Sequence, residues 1–185
     1  MKSLTVILLF TIILLIPVYA QGTDESLKKI EEAILRGNYQ TAIDYLKAGA
    51  STHPEYYYYL GLAYQKLGDF KSGMEYYKVA IDKCPVKSQQ AYIGLAQCEE
   101  AVNNPSAFTH YKKAVSFIPE YKDIFNITFG QATQAKIDEY KILLEFHPKD
   151  SGVLKKLVIL YEGKGQLSQG ISTLKYILKN NGVNF

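Results

Sequence analysis

Four prolines, Pro54, Pro85, Pro119 and Pro148, cut the chain into steps of 31, 34 and 29 residues. Between consecutive prolines lie two stretches with helical apolar spacing and turn residues in the middle. A proline ends one helix and can open the next, because its missing N–H costs nothing in a first helical turn. A period of this length built from two helices is the pattern of a helix–turn–helix repeat. One such unit cannot bury its apolar face alone; its neighbours complete the core, so the units must stack.

The clearest unit runs from Pro54 to Lys87. It carries Tyr57, Leu60, Gly61 and Tyr64, then Gly68-Asp69-Phe70, then Gly73, Tyr77, Ala80 and Pro85. Gly61 and Gly73 are expected where the two helices cross, since only small residues let the backbones approach, with Tyr64 and Tyr77 filling the space beside the crossing. Gly68 permits the turn. The unit from Ser151 to Asn184 repeats the pattern through Leu154, Leu157, Val158, Tyr161, Gly165, Gly170, Leu174 and Ile177. In the unit from Ser88 to Tyr121, Tyr92-Ile93-Gly94-Leu95-Ala96 echoes Tyr59-Leu60-Gly61-Leu62-Ala63, and Asn103-Asn104-Pro105 makes a turn one residue longer. A first unit over residues 23–53 has Gly37-Asn38-Tyr39, Ala42, Leu46 and Gly49 but a poorer first helix. A fourth over residues 120–150 matches worst: Ile124, Phe125 and Phe129 suggest a short first helix, Gly130-Gln131 a turn, and Gln134 to Phe146 the second helix.

At these offsets the unit from Pro54 resembles the tetratricopeptide repeat (TPR) at nearly every position. The resemblance extends with decreasing fidelity over residues 23–185. It implies an all-α, right-handed superhelical solenoid of antiparallel helix pairs, about five repeats long, whose first helices line a concave groove. It also implies a protein–protein interaction scaffold, non-enzymatic and without a cofactor. Ligands of the family commonly contact the groove-facing side of each first helix. Here those positions are Leu27 and Glu31 in the first unit, Tyr58, Leu62, Gln65 and Lys66 in the second, Tyr92 in the third, and Lys155, Ile159 and Glu162 in the fifth. Of the run Tyr56 to Tyr59, Tyr57 should be packed by the motif and Tyr58 should project into the groove. Tyrosine suits an interface, because it offers large contact area with little entropy loss. A tyrosine-lined groove that stacks on a small ligand or glycan is the alternative reading.

The first twenty residues read as an export signal. Lys2 gives a positive start, Leu4 to Ile16 is apolar apart from two threonines, and Pro17, Val18 and Ala20 precede a polar stretch, so cleavage after Ala20 is expected. The apolar core of about thirteen residues is short of the roughly 20 needed to span a bilayer; a retained membrane anchor is the rival reading. The arrangement fits a bacterial Sec signal, which places the chain in the periplasm or outside the cell as part of an envelope assembly. Its removal takes away only Lys2 among 21 basic residues and none of the 18 acidic ones, lowering the formal charge from +3 to +2. A chain so nearly neutral, with no Lys/Arg-rich run, does not address nucleic acid.

Chemistry is sparse. No nucleophile elbow, zinc-protease helix or phosphate loop occurs. His53 and His147 sit at equivalent ends of different units and do not converge as metal ligands need. Cys84 ends one helix while Cys98 lies roughly 15 Å along the next at 1.5 Å per residue, beyond the ~7 Å a disulfide allows. What remains is surface. Beyond the groove, the end of the stack is expected to be a contact surface for a partner or a second copy, with Ile171, Leu174 and Leu178 at least partly exposed, because no spare helix follows to cap it. The competing expectation is that Val183-Asn184-Phe185 folds back over that patch.

Overall fold

The structure, a computed structural model, describes residues 25–49, 53–128 and 130–184. Residues 1–20, where an export signal is expected, lie outside them, as do Phe129 and Phe185. The described residues form helices and no strand: α1 (25–35), α2 (Tyr39–Gly49), α3 (Glu55–Lys66), α4 (Phe70–Lys83), α5 (Ser88–Ala101), α6 (Ser106–Val115), α7 (Gln134–Phe146), α8 (Ser151–Gly163) and α9 (Leu167–Asn180). Short 3-10 turns at Pro85–Lys87 and Pro119–Tyr121 follow α4 and α6, where the repeat prolines stand. No helix among these residues is long and apolar enough to cross a membrane.

One turn device joins the helices of each pair. Gly37, Gly68 and Gly165 adopt φ of +77°, +81° and +69°, and Asn103 takes the same left-handed role at +56° in the third pair. A residue in this conformation after a helix lets the next amide turn back onto the helix's last carbonyls, as Asp69 N–H does to Tyr64 O at 3.0 Å. Asp69 and Asp150 then cap α4 and α8 by accepting from the backbone N–H of Ser72 and Val153.

The close approach within the second pair is real, but a side chain defines it. An added Cβ on Gly73 would lie 3.4 Å from Gly61 O, as crossing backbones require. What forbids a side chain at Gly61 is the Tyr77 ring, 2.8 Å from such a Cβ, and on the other side Gly94 of α5 is closer still, at 2.2 Å. Tyr77 is thus a wedge held between glycines of two successive units. Cys98 lies beneath the same crossing, 3.2 Å from an added Gly73 Cβ. Cys84 and Cys98 are both free and buried. Burial pushes the Cys98 thiol up to about 11, so the thiolate that reacts with alkylating reagents is scarce in the folded chain. Its ordinary value is near 9.0, so the folded state holds the proton more tightly than the unfolded one. The stability this contributes is complete below pH ~9 and is lost as pH rises towards ~11. A Cys98→Ala variant should therefore show a shallower alkaline fall in melting temperature than the parent chain; identical alkaline profiles would contradict the assignment.

The fourth unit departs from the expected pairing. Its first helix is absent among the described residues, where 122–126 are turns. The reason is legible in α7. Twelve residues before each repeat proline, helix B carries a small residue that admits helix A: Ala42, Gly73 and Ala107, all buried. The fourth unit has Lys136 there, and a helix cannot approach so closely over a lysine. The pairs are therefore α1/α2, α3/α4, α5/α6 and α8/α9, with α7 single, one fewer complete pair than the repeat count predicts. Leu143 and Phe146 of α7 remain exposed.

The stack also skips an element. After α6 the next helix in space is α9, with α8 against α9 and α7 on the far side of α8. The notch at Gly170 receives the Phe108 ring of α6, 2.5 Å from an added Cβ. Lys175 of α9 bridges to Glu100 at 2.6 Å. One apolar cluster joins Phe108, Tyr111, Val115, Leu174, Ile177 and Leu178.

This placement removes the exposure expected of Leu174 and Leu178 at the end of the stack. Leu174, Leu178, Val158, Leu160 and Ile177 are buried, and Ile171 is half-buried. The face left over by one hairpin is covered by α6, not by solvent or a partner. Val183 does fold back, half-buried against this cluster.

Candidate functional site

The second unit's groove positions do converge. Tyr58, Leu62, Gln65 and Lys66 of α3 line one hollow of about 60 Å³ with Gln90, Ile93, Gly94 and Gln97 of α5, Tyr77 beneath, and Asn184 from beyond α9. Helical spacing explains the set: 58, 62, 65 and 66 recur at three- and four-residue steps on one face of α3, and 90, 93, 94 and 97 do so on α5.

Amide groups connect the two helices. Gln65 Nε2 donates to Gln97 Oε1 at 2.8 Å, and the Tyr77 hydroxyl donates to Gln65 Oε1 at 2.6 Å. The Gln65 amide is thus fixed in orientation by a donor and an acceptor. Gln90 is different: its Oε1 is buried and accepts no hydrogen bond from the described residues. Glutamines at 90 and 97 were not among the sequence candidates. The signal that could have found them was their three- and four-residue spacing from Gly94, which sets all three on one face of α5.

The tyrosine run divides in part as the motif suggests, with Tyr57 packed against the cluster around Tyr77 and Tyr58 lining the hollow. Tyr56 and Tyr59 are buried, while Tyr57 and Tyr58 are partly buried. The Tyr58 ring packs against Tyr59 at 5.2 Å and Tyr77 at 6.0 Å between centroids. Burial raises its hydroxyl above the ordinary value. Lys87 lies over the rings of Tyr58 and Tyr59, 5.7 and 5.5 Å from their centroids, and pairs with Glu55. These rings are already stacked on protein, with one edge of Tyr58 left to the hollow.

The other groove candidates lie elsewhere. Leu27 packs into the first core cluster and Glu31 accepts a hydrogen bond from the Tyr59 hydroxyl, so both brace α1 against α3. Tyr92 faces α6, its ring 6.0 Å from both His110 and Phe117. His110 in turn meets the buried Glu99 at 2.6 Å. Lys155 pairs with Asp123 at 2.8 Å. Glu162 holds Lys112 at 2.7 Å, and it shares with Ile159 a separate hollow of about 730 Å³ near Gly130 to Ala132. The fifth unit cannot continue the groove of the second, because its hairpin docks through α9. The described residues bring no three His, Cys, Asp or Glu side chains together as metal ligands.

Comparison with known proteins gives the tetratricopeptide repeat, matched at residues 54–85. No curated protein matches the chain. The matched segment holds Gly61, Gly73 and Tyr77 of the α3/α4 crossing, and it supplies one wall of the hollow. Repeats of this kind are generally protein–protein interaction modules and typically belong to non-enzymatic scaffolds. With adjacent helices packed in hairpins, α7 excepted, the chain is a TPR-like helical solenoid built around a tetratricopeptide repeat at residues 54–85.

Proposed function

We propose that the chain is an exported scaffold of the bacterial cell envelope that holds a segment of another protein in the groove between α3 and α5. The observation that carries this reading is the convergence of Tyr58, Leu62, Gln65 and Lys66 with Gln90 and Gln97 in one hollow. Its wall offers an apolar side chain, an aromatic edge, fixed amides and a cation, a mixture suited to peptide side chains and backbone. The export part rests on the order of residues 1–20: a lysine, an apolar core, then Pro17 to Ala20.

The glycan reading is weaker on the same geometry. The tyrosine faces that would stack on a sugar are packed against other rings and Lys87.

Photo-crosslinking tests the proposal. A benzophenone side chain is placed at Lys66 or Gln97, or on the exposed α4 position Lys78 as a control, in cells expressing the full chain. One common protein should be captured from Lys66 and Gln97 and not from Lys78, by a product that begins at Gln21. Capture of the same partner from Lys78 alone would place the interface elsewhere.

A further inference from the structure

The groove is not empty of protein. Gly182, at φ +75°, turns the chain sharply after α9, and the Val183 N–H closes that turn on Leu178 O at 3.1 Å. Val183 is thereby set against the apolar cluster shared by α5, α6 and α9. Asn184 then reaches the hollow between Tyr58, Gln65, Gln90 and Gln97. The docking of α9 on α6 is what delivers it there. Had α7 taken that place, residue 184 would end on the far side of the stack.

The fit is incomplete in an informative way. Gln90, which lines the same hollow as Asn184, has a buried Oε1 that receives no donor from the described residues. A buried acceptor left unsatisfied destabilises the closed form. Asn184, itself exposed, stands at the rim of the hollow without meeting that demand. A ligand that brings an N–H to Gln90 Oε1 gains what the tail does not supply.

We propose that Val183-Asn184 is a displaceable plug of this groove, and that the ligand which displaces it is an extended peptide segment donating an amide N–H to Gln90 Oε1. This rests on the groove reading above and adds its regulation. The plug is tethered, so it acts at a high effective concentration. The apparent affinity for a peptide in solution is reduced by the fraction of molecules in which the groove is open.

The test uses the full mature chain, a V183G/N184G variant, and a fluorescein-labelled synthetic peptide copying residues 178–185 as the probe. Fluorescence polarisation should show at least tenfold tighter binding to the variant than to the parent chain, and Leu62→Glu in the variant background should abolish it. Equal binding to both forms, or no binding to the glycine variant, overturns the proposal. Circular dichroism of each variant confirms that the fold is kept. Crosslinking from Gln97 separates the two claims. If the partner is captured equally with and without the tail substitutions, the plug fails and the groove reading stands. If the tail peptide binds the variant but no protein is captured from the groove, the groove reading fails and the plug stands.

Discussion

Replacing Tyr77 with alanine should lower stability by about 3–5 kcal/mol, the range for truncating a large buried aromatic. For a chain of this size that is a fall in melting temperature of roughly 10 °C or more. The ring is 1% exposed and is wedged between Gly61 and Gly94. Neither glycine has a side chain that could move into the vacated space, so the cavity persists instead of collapsing. The hydroxyl's hydrogen bond to Gln65 also disappears, freeing an amide that bridges to Gln97. Tyr77→Phe should cost only about 1 kcal/mol, since it removes the hydrogen bond alone. The reciprocal change, Gly94→Ala, should be destabilising too, by about 1–3 kcal/mol of overpacking, although alanine is the better helix former. Chemical denaturation of the three variants checks the series; a loss under 1 kcal/mol for Tyr77→Ala would mean that the ring is not the wedge.

The second large effect should come from Glu162→Ala. Lys112 lies on α6 with its side chain 6% exposed, and its ammonium has Glu162 at 2.7 Å and the Phe125 ring at 4.7 Å. Removing one partner of a buried pair typically costs about 3–5 kcal/mol, because the other charge stays desolvated. The Glu162 side chain is 41% exposed, so water relieves part of the loss, and about 2–3 kcal/mol is expected. The Lys112→Met, Glu162→Met double variant should recover most of it, since apolar side chains of similar volume remove the desolvation cost. If the double variant is no more stable than Glu162→Ala, the loss comes from packing around α8 and not from an orphaned charge.

Much of this architecture can be read from the residues alone, and the failures have identifiable causes. The second, third and fifth units are legible because glycine or alanine at a helix crossing leaves a fixed spacing behind. The groove face of α3 follows from the same register. The fourth unit misleads because Lys136 interrupts that spacing by a single residue, while the surrounding apolar pattern of Ile137, Tyr140 and Leu144 still reads as a helix with a partner. The position of α9 is not legible at all. Gly170 announces that a bulky group will fit over it, but whether that group is Phe108 of α6 or a ring from α7 is a choice between neighbours of equal chemistry. The burial of Leu174 and Leu178 follows from that choice. Tyr56 and Tyr59 are core because the first unit's Ile30, Ala42 and Leu46 meet α3 on that side, a contact no single-unit pattern contains.

The Lys175–Glu100 bridge closes a loop between residues 75 apart in the sequence, in a fold whose other contacts join mostly successive helices. A linear stack can nucleate anywhere and grow or fray one unit at a time. This chain cannot do so beyond α6. Its last hairpin has a seat only once α5 and α6 are formed, and reaching that seat means closing over the whole of residues 116–150, an entropic cost met before any contact repays it. Hydrogen exchange would consequently divide the chain unevenly. Helices α5, α6, α8 and α9 would open together as one slow block, while α7, held on a single side, would exchange from local openings that leave that block intact.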